Sequence, residues 1–185
     1  RTGLLMSSFY AFDSRFRGGV NIAAGEVTGD FQVDIIAAPE SLGGPQVKVL
    51  TRFGTLQRNF LGYTSTFRVA LVVGVVDSNQ DGVGEIVTAP AAGALPQVQV
   101  FSSSTNAPLG SFIAGSQFAT GGLNLSTFDF NGDGYPDIVV GSANGAFRPL
   151  VFDGLTRSEI GLLLPSSVRV PYNGFIGGFA NAIVP

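Results

Sequence analysis

Nine of the thirteen acidic residues crowd into three short windows: EVTGDFQVD from Glu26, DSNQDGVGE from Asp77 and DFNGDGYPD from Asp129. Each window has an acid at its first, fifth and ninth positions: Glu26, Asp30 and Asp34, then Asp77, Asp81 and Glu85, then Asp129, Asp133 and Asp137. Carboxylates this close repel unless a cation sits among them, and hard oxygen donors at alternating positions suit Ca²⁺. The third window is the best formed. Asp129, Asn131, Asp133 and Asp137 supply side-chain oxygens, Tyr135 its backbone carbonyl, and Gly134 the sharp bend. The second offers Asp77, Asn79, Asp81, the Val83 carbonyl and Glu85, with Gly82 at the bend and a longer final side chain. The first offers Glu26, Thr28, Asp30, the Gln32 carbonyl and Asp34, but has Phe31 where a glycine is wanted. The expectation is calcium in the second and third loops, with the first weak or empty. The competing reading is three hydrogen-bonded Asx turns without metal.

The elements that position these loops recur with them. The windows start 51 and then 52 residues apart, and Phe16, Phe67 and Phe118, then Val49, Val100 and Val151, keep nearly the same step. A spacing held by unrelated residue types marks an internal repeat. Within each unit a segment such as GGVNIAAG or GGLNLSTF precedes the acidic loop, and VDIIAAP, EIVTAP or DIVVGS follows it. A Gly/Pro turn leads to an alternating strand (QVKVL, QVQVF, RPLVF), and an aromatic segment (SSFYAF, RNFLGY, GSFIAG) closes the unit. Four strands per unit is the count of a propeller blade. No segment sustains a capped helical period.

The predicted fold is therefore all-β: a β-propeller-like array of about three and a half four-stranded blades, open or completed by other chains or a longer polypeptide. The predicted divisions are a partial blade over 1–15, repeats over 16–66, 67–117 and 118–172, and a partial blade over 173–185, where NGFIGGFANAIVP repeats the double-glycine strand. A sandwich does not require a four-strand repeat, and β-solenoid coils are usually shorter.

Composition narrows the function. The chain has no His and no Cys, which removes the commonest neutral-pH acid/base, thiolate zinc sites and disulfides. A net charge of −3 with scattered Lys and Arg argues against nucleic acid. The stretch VALVVGVV is too short to cross a bilayer as a helix, and no membrane insertion is expected. Outside the loops the acids are Asp13, Glu40, Asp153 and Glu159, in predicted turns and loops, and they form no candidate acid/base pair for a polysaccharide-processing enzyme. There is no Trp and only four Tyr, Tyr10, Tyr63, Tyr135 and Tyr172, to stack on a sugar, while most of the sixteen Phe fall at core-like spacings.

The segments DFNGDGYPDIVVG and DSNQDGVGEIVTAP, with FRGGVNIAAGEVTGD as a diverged copy, resemble FG-GAP/VCBS repeats, the calcium-loop blades of integrin α-subunit propellers and many bacterial surface proteins. The third loop is also similar to the first part of an EF-hand loop, without its distal bidentate Glu. The resemblance implies a mainly structural calcium in each well-formed loop. It also implies an extracellular or cell-surface setting, expected to be bacterial, and a non-catalytic structural or adhesive module that forms part of a surface assembly or fibre. Expected partners are further copies of the chain or neighbouring blades of a longer one. A carbohydrate-binding propeller, with a glycan partner, is the alternative.

Overall fold

Runs of β-branched residues between Gly- and Pro-containing turns fold here as antiparallel meanders. The computed structural model describes residues 3–160. The first sheet contains β1 (Val20–Gly25), β2 (Asp34–Pro39), β3 (Gln46–Thr51) and β4 (Leu56–Leu61), in that spatial order. The second repeats the order with β5 (Leu71–Val76), β6 (Glu85–Pro90), β7 (Gln97–Phe101) and β8 (Pro108–Ile113). The third has β9 (Leu123–Phe128), β10 (Asp137–Ser142) and β11 (Leu150–Phe152), and a single bridge from Phe152 to Glu159 begins the pairing of a further segment. The expected partial blade at 173–185 lies outside the described residues.

The repeat is visible in the ladder itself. Gly25 pairs with Asp34, Val76 with Glu85, and Phe128 with Asp137, so each acidic loop connects the first two strands of its sheet at the same register. A one-residue irregularity falls at Val49/Leu50 in the first sheet and at Val100/Phe101 in the second. β1 lies beside β5 and β5 beside β9, and Asn21 Nδ2 donates to the Leu71 carbonyl across the first of these contacts at 2.8 Å. The first strands thus line one side of an open array, which is the blade order of a partial propeller. Among the described residues the array does not close, and no helix is long and apolar enough to cross a membrane.

Two cores fill the two junctions between sheets. Ile36, Val47 and Val49 of the first sheet meet Leu71, Val73, Ile86 and Phe101 of the second. Val87, Val98 and Val100 of the second meet Leu123, Ile138 and Phe152 of the third. Ile86 and Val87 are neighbours in sequence and point to opposite junctions, which is why every residue of β6 is buried. Most described Phe side chains pack as expected, but Phe31, Phe53 and Phe118 are exposed.

The first strand of the first sheet lacks such cover on its other face. Leu71 and Leu123 are fully buried, whereas Val20 at the corresponding place on β1 is 38% exposed and Ile22, two residues on, is 67% exposed. Residues 3–19 form no strand, in contrast to the reading of SSFYAF as one. This segment crosses a sheet face, where Lys48 Nζ donates to the Ala11 carbonyl at 2.9 Å and sits 4.6 Å from the Phe12 ring centre. A chain lying across a face meets side chains and finds no open backbone ladder to join.

Candidate metal centre

Each loop leaves the first strand at its first acid and enters the second strand at its ninth, so the ninth acid is carried into the sheet. Asp34, Glu85 and Asp137 are all buried, at 1%, 5% and 0% exposure. A buried carboxylate needs donors, and the loop backbone supplies them. Asp34 Oδ2 accepts from Val27 N at 3.3 Å and Thr28 Oγ1 at 2.9 Å. Glu85 Oε2 accepts from Ser78 N and Oγ at 2.9 and 2.7 Å. Asp137 Oδ2 accepts from Phe130 N and Asn131 N at 2.9 and 3.3 Å, while its Oδ1 accepts from Gly154 N at 3.2 Å. In all three loops the ninth acid holds the N–H of the second residue.

The second and third loops then share one scheme. Asp77 Oδ2 accepts from Gly82 N and Asp129 Oδ2 from Gly134 N, both at 3.0 Å. Asn79 accepts from Asp81 N at 3.0 Å and donates to the Asp81 carboxylate at 3.0 Å, and Asn131 does the same with Asp133, at 2.9 Å each way. The fifth acid holds the seventh residue's N–H, from Val83 to Asp81 and from Tyr135 to Asp133, at 2.8 Å in both. Gln32 N likewise donates to Asp30 Oδ1 at 2.9 Å in the first loop. Gly82 and Gly134 take φ of 85° and 89°, as the bend requires, and Phe31 is held at 60° in the same place.

The first loop gathers its acids most tightly. Oxygens of Glu26, Asp30 and Asp34 lie within 4.8 Å of one another, and among the described residues no other group of three or more acids does so. The sequence places the weakest site here. A local difference accompanies this: in the other loops an Asn amide donates to the fifth acid and the N–H of the sixth-position glycine, Gly82 or Gly134, holds the second oxygen of the first acid. In the first loop Thr28 replaces the Asn, and Glu26 takes both its described backbone bonds, from Thr28 N and Gly29 N at 2.7 Å, through Oε1. Glu26 Oε2 is sealed from solvent and has no hydrogen-bond partner.

Charge follows the same pattern. Burial pushes the Asp34 carboxyl above the usual carboxylate range, and the charges of Asp30 and Glu26 add to the rise against the bonds from Thr28 and Val27. Burial likewise pushes Asp137 up, with the Asp133 charge reinforcing it, despite bonds from Phe130, Gly154 and Asn131. At Glu26 burial is again the largest effect, but the hydrogen bonds from Thr28 and Gly29 lead those that outweigh it and hold the group low. All-oxygen donors, an unpartnered buried carboxylate oxygen and two acids made uncomfortable by burial fit a hard divalent cation.

The loops lie side by side. Gln80 Nε2 donates to the Gly134 carbonyl at 2.5 Å, and Gly84 N to the Glu26 carbonyl at 2.8 Å. An open cavity of about 410 Å³ between them is lined by the first acid of every loop, Glu26, Asp77 and Asp129. Sequence reasoning missed these lateral ties, as well as Gly154, whose N–H serves Asp137 from seventeen residues away. Their only sequence signal is position within the repeat, because the atoms concerned are mostly backbone.

The sequence pattern of the FG-GAP repeat matches residues 121–154, which span β9, the third acidic loop, β10 and β11. That segment is an FG-GAP repeat, and the second sheet reproduces its strand order and loop bonding. No curated protein matches the chain. FG-GAP repeats are typically non-catalytic structural modules. Of the acids outside the loops, Asp13 accepts from Arg15 N at 2.8 Å and Asp153 Oδ1 from Thr156 N at 2.6 Å, both closing turns.

Proposed function

We propose that this chain is a non-catalytic, calcium-stabilised structural or adhesive repeat module that works outside the cell, as a segment or subunit of a bacterial surface assembly or fibre. The observation that carries the reading is the set of three acidic loops, aligned at one end of adjacent sheets, each joining the same two strands. Asp129, Asn131, Asp133, Tyr135 and Asp137 would hold calcium in the third loop, Asp77, Asn79, Asp81, Val83 and Glu85 in the second, and Glu26, Thr28, Asp30, Gln32 and Asp34 in the first. The ion would neutralise carboxylates that the fold has brought together, so binding stabilises the blades. Millimolar extracellular calcium fills even modest sites of this kind.

Partnership follows from the uncovered face of β1. The second and third sheets bury Leu71 and Leu123 against the sheet before them, while Val20 and Ile22 meet no such sheet. A further blade, from a longer chain or a neighbouring copy, would cover them as the existing junctions do. The test is calcium content by equilibrium dialysis alongside solution mass by light scattering. Bound calcium, with mass above 19.1 kDa that falls on Ile22→Asp, supports the module and its contact with a neighbouring copy. A calcium-free protein at millimolar calcium refutes the metal part, and a calcium-loaded monomer refutes self-association.

A further inference from the structure

The first loop has a charged side chain behind it that the second loop's own sheet does not supply. Arg58 sits on β4 opposite Val49, and its Nη2 donates to the Val27 carbonyl at 2.5 Å. Val27 is the residue between Glu26 and Thr28, and its own N–H goes to Asp34. The guanidinium is partly buried, its Nε is closed off from solvent without an acceptor, and the Asp34 carboxylate acts on it through space. Opposite Val100, the corresponding place in the second sheet, stands Gly110. Arg157 reaches in from the next sheet, with Nη1 3.3 Å from where a Gly110 side chain would begin, but it makes none of the described hydrogen bonds to the second loop.

Two deficits therefore meet in the first repeat. Three carboxylates converge with one oxygen unpartnered, and a guanidinium that stays protonated at any ordinary pH is partly buried with no carboxylate in ion-pair contact among the described residues. A fixed cation near an anionic cluster offsets its repulsion and opposes the entry of a second cation. We infer that Arg58 is the resident cation of the first loop: held at the Val27 carbonyl, it offsets the charge of Asp34 in the metal-free chain and weakens divalent-cation binding there. The inference rests on the calcium reading of the loops. It makes the first loop the low-affinity site despite its converging acids.

The test is calorimetric titration of CaCl₂ into the EDTA-stripped full chain, with Asp34→Asn in each background to identify the first loop's heat. Arg58→Gln keeps a donor for the Val27 carbonyl and removes the charge, and Arg58→Met removes both. Each should tighten the first loop about tenfold or more, while Arg58→Lys stays near the parent. A first loop that is unchanged or weaker in Arg58→Gln, with the other loops still binding, overturns this inference alone. Absence of binding at every loop of the parent overturns it together with the calcium reading. If Arg58→Met does not fold, Arg58→Gln decides the matter, and if neither folds in EDTA yet both fold with calcium, the balancing role is upheld.

Discussion

Gln80 and Gly134 join two metal-loop candidates directly: the side-chain amide of one donates to the backbone carbonyl of the other at 2.5 Å, across 54 residues of sequence. The second and third loops are therefore mechanically linked, and ordering one helps to order the other. Gln80→Ala should cost no more than about 1 kcal/mol in urea unfolding, as expected for an exposed neutral bond. Its larger effect should be on coupling: calcium titration of the variant should yield two independent events where the parent binds with positive cooperativity. Equal cooperativity in both proteins would dismiss the link.

Asp137 is the structural keystone of the third loop. It is fully buried and receives three backbone N–H groups, from Phe130, Asn131 and Gly154. Asp137→Ala strands those donors and should destabilise the chain by about 3 kcal/mol even in EDTA. Asp133→Ala, at an exposed position, should cost less than about 1 kcal/mol in EDTA and act mainly through lost calcium binding. Chemical denaturation of both variants with and without metal separates the two roles.

Phe31 is held at a φ of 60° and is 95% exposed, so it bears backbone strain without compensating burial. The left-handed region costs a non-glycine residue about 1–2 kcal/mol, and glycine returns part of that gain through its freer unfolded chain. Phe31→Gly should raise stability in EDTA by up to about 1 kcal/mol. A loss of stability would reveal a packing role for the ring.

Protons should compete with calcium, with a definite sign. Burial raises the Asp34 and Asp137 carboxyls above their ordinary value of 3.8 in the folded chain, which therefore binds their protons more tightly. Their contribution to metal-free stability is fully present below 3.8 and is lost as pH rises through the raised values. Glu26 is lowered from 4.5 and works oppositely, its contribution being present above that value and lost as pH falls through the folded one. Calcium requires all three ionised. The difference in Tm between calcium and EDTA should therefore shrink steadily as pH falls from neutral toward 4. A difference independent of pH would exclude carboxylate-bound metal.

Much of this architecture is legible in the chain because a repeat states each instruction more than once. The Val49, Val100 and Val151 spacing fixes the third strand of each sheet, and the windows at Glu26, Asp77 and Asp129 fix the loops joining the first two. What the sequence hides is lateral. Whether SSFYAF forms a strand depends on a free edge to pair with, which local alternation does not specify. The convergence of Glu26, Asp30 and Asp34 and the pairing that sets Arg58 opposite Val49 appear only once the strands are in place. Such placements belong to tertiary contacts, and residue types alone do not encode them.

The central claim is that calcium in the acidic loops stabilises the folded array. The direct measurement is thermal unfolding of the full chain in EDTA and in millimolar calcium, with magnesium at equal ionic strength as control. Selective binding to the folded state at a hundred times its Kd contributes about 2.7 kcal/mol per site, so Tm should rise by several degrees in calcium and much less in magnesium. Superimposable curves in EDTA and calcium would contradict the account and leave the loops as hydrogen-bonded turns that hold their strands without metal.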